Sequence, residues 1–421
     1  MTSAPATEHP CRLPPTIVAT NDHRRRPPPR LVQSSNCNVE GVMRGKCDLF
    51  VFNQPHLLPN PFLTKSTNRH SILRLQQQHQ LNFSKPILFK SKFATVSAIS
   101  TSSAMVKAIR VHEIGGPEVL KWEDIEIGEP NDGEIKVRNK AIGLNFIDIY
   151  FRKGVYKAAA VPFTPGMEAV GVVIAVGPGL TVRQVGDVAY AGNPMGAYAE
   201  EQILPADKVV PVPSSVDPIV AASVMLKGMT AQYLFRHSFK QQVELDRCCV
   251  KWANALGATV IGTVSTKEKA AQAEEDGCHH VIVTKQENFI ERVTEIPSGQ
   301  GVEVVYDSVG KDTFEGSLSC LKTRGYMVSF GQASGAPDPI PLSALASKSL
   351  FLTRPSLNHY TAKRDELLET AGEVFANIAT GVLRVRFNHK YPLSQAAQAH
   401  SDLENRKTTG SVVLIPDGVD M

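Results

Sequence analysis

Thr263-Val264-Ser265-Thr266-Lys267-Glu268-Lys269 puts hydroxyls and two ammonium groups on one short turn, with a single carboxylate between the lysines. The run before it, Ala258 to Thr263, is apolar and bounded by turn formers, as expected of a strand buried on both faces. Trp252, Ala253, Ala255 and Leu256 recur at helical spacing, and Gly257 supplies the left-handed residue that ends a helix. In a dinucleotide-binding βαβ unit, an Asp or Glu at such a strand end accepts from the ribose 2′-hydroxyl. Hydroxyls and ammonium groups suit a 2′-phosphate instead, so the turn reads as a contact for NADPH rather than NADH. An ordinary strand followed by a helix capped by Ser265 or Thr266 would account for the same residues.

The elements around this turn alternate. Strands VIGTV (260–264), VIV (281–283), VEVVYDSVG (302–310) and YMVSFG (326–331) are separated by helical stretches at 267–276, 286–295 and 312–322, which predicts a parallel, doubly wound sheet. Upstream, VKAIRVHEI (106–114), EIKVRNKAIGL (134–144), VGVVIAV (170–176) and DVAYA (187–191) are short β-rich runs between Gly, Pro and Asp turns. Their spacing predicts a small, partly open barrel. Asp217-Pro218 starts a helical region running to 240, with a second helix expected after Gly228. Amphipathic helices at 365–379 and 394–405 and a strand at 411–415 would return to the barrel.

Residues 1–104 follow neither pattern. They hold 13 basic and four acidic residues, against 32 and 37 in the remainder. The basic balance of the whole chain therefore belongs to its leader, and the net acidity of the folded part speaks against nucleic-acid binding. Few acidic residues, abundant Arg and Ser, and the runs RRRPPPR (24–30) and SAISTSSA (97–104) fit an organellar transit peptide, chloroplast before mitochondrion. The alternatives are a disordered extension, or an upstream start codon wrongly included with translation starting at Met105, in the cytosol. GVMRGKC (41–47) is one residue short of a P-loop and ends in Cys. Seven cysteines without a CxxC pair indicate neither a disulfide framework nor a zinc lobe. No apolar stretch approaches the ~20 residues that span a bilayer.

Several longer motifs occur in one order: GLNFIDIYFRKGVY (143–156), PGMEAVGVV (165–173), LKGMTAQYL (226–234), GATVIGTVSTKEK (257–269), VYDSVGKDTF (305–314), MVSFGQASG (327–335), LTRPSL (352–357) and ENRKTTGSVVL (404–414). Together they make residues 105–415 resemble the zinc-free quinone oxidoreductases, the ζ-crystallin branch of the medium-chain dehydrogenase/reductase superfamily. The resemblance implies an α/β fold: a GroES-like, partly open barrel domain (105–228, completed by 353–421) and a Rossmann-type NADPH domain (229–352). It implies NADPH-dependent reduction of a quinone or conjugated enone, and commonly a homodimer. By motif, Asn145 and Tyr150 would line the nicotinamide side. Gly262, Ser265, Thr266 and Lys269 would hold the adenosine ribose and its phosphate. Thr230, Ser308, Phe330, Gly331 and Ser334 would complete the cofactor cleft, with Thr353, Arg354 and Arg406 facing it from the returning segment.

Where zinc-dependent relatives place Cys and His, this chain has Asn145 and Met167, with Glu168 remaining; no metal is expected. A quinone or enone can take hydride without a Lewis acid because its own oxygen delocalises the charge, and solvent or a tyrosine such as Tyr150 or Tyr156 could supply the proton. The expected glycine-rich pyrophosphate loop is missing. GPGLTV (177–182) and GQGVEV (299–304) fail at the third Gly, and QQVELDRCCVK (241–251) is too short for a strand, a loop and a first helical turn. Thr284 replaces a frequent Tyr, and GDVAY (186–190) is a residue short. The competing expectation is an inactive pseudoenzyme or mis-spliced form lacking the sheet's first strand and the amides that neutralise a pyrophosphate.

Overall fold

The structure, a computed structural model, describes residues 49–53, 104–192, 195–238, 259–383 and 386–418. Strands β1 (Leu49–Asn53), β2 (Ala104–Val111), β3 (Leu120–Ile127) and β4 (Glu134–Leu144) lead into helix α1 (Phe146–Arg152). Strands β5 (Glu168–Val176), β6 (Val188–Gly192), β7 (Glu201–Pro205) and β8 (Val209–Pro211) precede helix α2 (Pro218–Tyr233). The alternating part follows: β9 (Thr259–Val264), α3 (Lys267–Glu275), β10 (His280–Val283), α4 (Phe289–Glu295), β11 (Val302–Asp307), α5 (Phe314–Cys320), β12 (Leu321–Ser329) and β13 (Phe351–Thr353). The chain closes with α6 (Arg364–Ala379), β14 (His389–Pro392), α7 (Ala396–Glu404) and β15 (Val412–Ile415).

One sheet has the order β10-β9-β1-β11-β12-β13. β10 is parallel to β9, and β12 is parallel to β11 and β13. β1 lies between β9 and β11 and runs antiparallel to both. Without β1 the order is that of a doubly wound dinucleotide fold whose central strand is vacant. Sequence alone did not place residues 49–53 in the fold. The segment 241–251, where the first strand is expected but too short, lies outside the described residues, as do Trp252 to Ala258.

The second sheet runs β14-β15-β4-β5-β6-β8, with β7 also on β4. Register shifts in the β4–β5 pair bend it, and the β2–β3 hairpin touches it through Ala108↔Ala199, giving the partly open barrel expected. β15 joins β4 antiparallel, so the last strand does return to this domain.

A shared core fills the space between the sheets. Val260, Val264, Val304 and Tyr306 from the first meet Ala141, Val170, Tyr190 and Val413 from the second around α2 and α6. The intervening residues Ile261 and Val305 pack on the other face under α4 and α5, as a period of two requires. α2 begins as its sequence predicts, with Asp217 Oδ1 accepting from Ile219 N at 2.8 Å and Val220 N at 3.1 Å. The break expected at Gly228 does not occur. α2 runs through it, and the position is glycine because α6 packs so close that a Cβ there would lie 2.8 Å from Val374 Cγ1. Among the described residues no helix is long and apolar enough to cross a membrane.

Candidate active site

The carboxyl ends of β9, β11 and β12 point the same way and carry most of the residues singled out above. Gly262 and Ser265 are buried at the end of β9. Thr266 is the N-cap of α3, its hydroxyl accepting from Lys269 N at 3.4 Å. Lys269 itself is only 6% exposed. Among the described residues no carboxylate pairs with it.

At the end of β11, Asp307 is fully buried and organises the turn beyond it. Its Oδ1 accepts from Val309 N (2.8 Å) and Gly310 N (3.0 Å), and its Oδ2 from Thr313 Oγ1 (2.8 Å) and Ser317 Oγ (2.9 Å). This carboxylate fixes Ser308 at the strand end. Ser334 ties the next loop back, donating to Val309 O and accepting from Asp312 N. Gly331 follows β12 so near Ser308 that an added Cβ would lie 2.5 Å from the Ser308 carbonyl oxygen. Only glycine lets these two strand ends approach.

Tyr150, from α1 of the other sheet's domain, reaches this edge. Its hydroxyl accepts from Gln332 N at 3.1 Å, and burial pushes its phenol above the ordinary value of 10.0. Arg354, just after β13, donates to Gly331 O (2.9 Å), Ser329 O (3.1 Å), Gln332 Oε1 (3.1 Å) and Tyr156 Oη (3.3 Å). The guanidinium thereby holds the end of β12 against both domains. Thr353 is half-buried in β13, Phe330 packs on the shared core, and Thr230 is half-buried in α2. Arg406 is exposed in a left-handed turn after α7.

Asn145 is buried as the N-cap of α1. Its amide donates to Glu168 Oε2 at 2.8 Å, while Leu226 N donates to Glu168 Oε1 at 2.7 Å and Lys227 Nζ lies 3.9 Å away. Burial raises the Glu168 carboxyl and the lysine opposes it. Lys227 thus places a cation beside the buried Glu168 side chain. Met167 is buried beside it.

Behind Asn145 lies a buried polar chain that the sequence motifs did not reveal. Arginine can only donate, so His400 Nδ1 accepts from Arg152 Nη1 at 3.0 Å. Burial, helped by Arg152, presses this imidazole down to about 3, which keeps it neutral with its proton on Nε2. Nε2 then donates to Tyr198 Oη (2.9 Å), and Tyr198 donates to Asp148 Oδ2 (3.1 Å). Asp148 also accepts from Asn145 N at 2.9 Å, so the chain of bonds positions the head of α1. Arg152 is anchored at its far side by Glu404 at 2.5 Å.

Residues 131–214 match the alcohol dehydrogenase GroES-like domain family and residues 247–372 the zinc-binding dehydrogenase family. A quinone oxidoreductase of Pseudomonas aeruginosa is 45% identical over 327 residues, covering 74% of this chain and all of that protein. A 2-haloacrylate reductase of a Burkholderia species is 43% identical, covering 74% of this chain and 99% of its own length. The crystal structure of an Escherichia coli quinone oxidoreductase complexed with NADPH superposes with a TM-score of 0.71 at 42% identity, over 74% of this chain and all of that one. On fold, strand order and these likenesses together, the chain belongs to the quinone oxidoreductase family of the medium-chain dehydrogenase/reductase superfamily.

Proposed function

We propose that the chain reduces quinones, or conjugated enones, with hydride from NADPH and without zinc. The observation that carries this reading is the row of polar groups at the carboxyl ends of three sheet strands, closed by a phenol from the other domain. Open α/β sheets bind ligands at that edge. The donor set fits the cofactor. Lys269, only 6% exposed and without a carboxylate partner among the described residues, would hold a 2′-phosphate with Ser265 and Thr266. Ser308, Phe330 and Gly331 would face the rest of the cofactor, which when bound supplies the hydride.

The chain's own groups supply the remainder. Tyr150 is protonated at neutral pH, as an ordinary phenol is, and burial pushes it further up, so it can donate a hydrogen bond to a substrate oxygen as charge develops there. Arg354 fixes the backbone against which Tyr150 is set. Glu168 is paired with Lys227 and hydrogen-bonded by Asn145, and a quinone spreads its own negative charge. The names of the relatives favour both acceptor classes, since quinone and 2-haloacrylate reductases are among them.

The test is NADPH oxidation by the full chain with a benzoquinone and with an enone, NADH serving as control. Turnover selective for NADPH and weakened at least tenfold in Tyr150→Phe is the expected result. No turnover, with an unfolding midpoint indifferent to NADPH, would establish the inactive alternative. Two further parts of the reading have their own tests. β13 is an edge strand whose Phe351 and Leu352 are 50% and 39% exposed, which favours a homodimer built on that edge and is checked by sedimentation. The leader composition favours plastid import, and a fluorescent fusion of residues 1–104 distinguishes plastid, mitochondrion and cytosol.

A further inference from the structure

We propose that Leu49–Asn53 is a replacement strand: the upstream segment fills, in reverse, the central slot of a sheet in which no other described strand stands at that place. Three observations converge on it. The order β10-β9-β1-β11-β12-β13 reproduces the doubly wound order with β1 in the first strand's place. A native first strand would run parallel to its neighbours, whereas β1 is antiparallel to both, so it entered the sheet by another route than a right-handed crossover. The alignment with the Pseudomonas aeruginosa protein spans 327 residues, more than the 74% of this 421-residue chain that it occupies. The relative therefore carries residues that this chain lacks.

The slot demands an occupant. Val260 to Val264 of β9 and Val304 to Asp307 of β11 are buried with β1 between them, and the backbone groups that face it need a partner strand or water. Leu49 pairs with Thr263 and Asp307, Phe50 with Gly262 and Tyr306, Val51 with Ile261 and Val305, and Phe52 with Val260 and Val304. LFVF is a continuous apolar run of the residue types that strands buried on both faces contain. A protein beginning at Met105 would leave both strand edges open. Any targeting peptide must then be cut N-terminal to Leu49.

Hydrogen–deuterium exchange on the full chain tests the assignment without reference to activity, so its outcome is separate from that of the reductase reading. Amides of residues 50–53 are expected to exchange as slowly as those of 260–264. Exchange of 50–53 at the rate of an unfolded peptide overturns the proposal. In the full chain, Val51→Pro removes a ladder donor and should lower the midpoint of thermal unfolding, while Leu57→Pro, beyond the strand, should not. Equal midpoints for both variants and the parent would also overturn it. If Val51→Pro yields no folded protein, the exchange rates of the unaltered chain still decide.

Discussion

Asp148→Asn isolates the electrostatics of the buried polar chain. Burial pushes the Asp148 carboxyl from 3.8 up to about 7, and burial with Arg152 presses His400 from 6.5 down to about 3. Unfolding returns both groups to their ordinary values. Between about pH 4 and 6.5 the folded chain holds a proton on Asp148 that the unfolded chain has shed, and lacks one on His400 that the unfolded chain has gained. The raised carboxyl contributes stability at low pH that is lost as pH rises through about 7. The depressed imidazole contributes stability at high pH that is lost as pH falls towards 3. Each slope is about 1.4 kcal/mol per pH unit, and they oppose each other, so in the parent they cancel across this window. Asparagine keeps an oxygen for Tyr198 and Asn145 N but does not titrate. The variant should therefore gain on the parent by about 1.4 kcal/mol per pH unit between pH 4 and 7, about 4 kcal/mol in all. Urea unfolding at half-unit steps from pH 4.5 to 7.5 measures this difference directly. A gap between variant and parent that does not change with pH would refute the reasoning.

Other perturbations bear on the site. Gly331→Ala drives a methyl against the Ser308 backbone and should cost about 1–3 kcal/mol, seen as a lower denaturation midpoint together with weaker NADPH binding. Lys269→Gln should raise KM for NADPH about tenfold, or ~1.4 kcal/mol, while leaving the weaker use of NADH unchanged; equal losses with both cofactors would remove Lys269 from the phosphate site. Asp307→Ala leaves two amides and two hydroxyls of the Ser308 turn without their acceptor, a loss of about 3 kcal/mol or more in unfolding free energy. Phe351→Lys should shift sedimentation towards monomer, with the fold unchanged by circular dichroism.

The alternation of elements from 259 to 329, the cap at Asp217 and the returning last strand were legible because each is a local pattern of period or punctuation. What was not legible depends on partners far away. Gly228 looks like a helix break until Val374 shows why the position must be small. Asp307 reads as a strand-end carboxylate, and only the turn folded over it reveals four donors. His400 and Arg152 sit in an amphipathic helix and a family motif, and nothing in either stretch announces that they touch. Asn145, expected on the nicotinamide side, has its amide committed to Glu168. LFVFN consists largely of strand-forming residue types, but it stands in a leader whose composition argues against any fold, so no strand was expected there.

The reversed central strand also sets a timetable for synthesis. Leu49 is made early, yet its partner Asp307 follows about 250 residues later. For that interval an apolar pentapeptide waits outside the growing sheet while both edges that will receive it are still unmade or open. Assembly of the cofactor domain is thus a long-range closure and not a local winding of βα units, and it cannot finish before β11 has left the ribosome. During that wait chaperones, and the open edges of neighbouring copies, compete for the same slot.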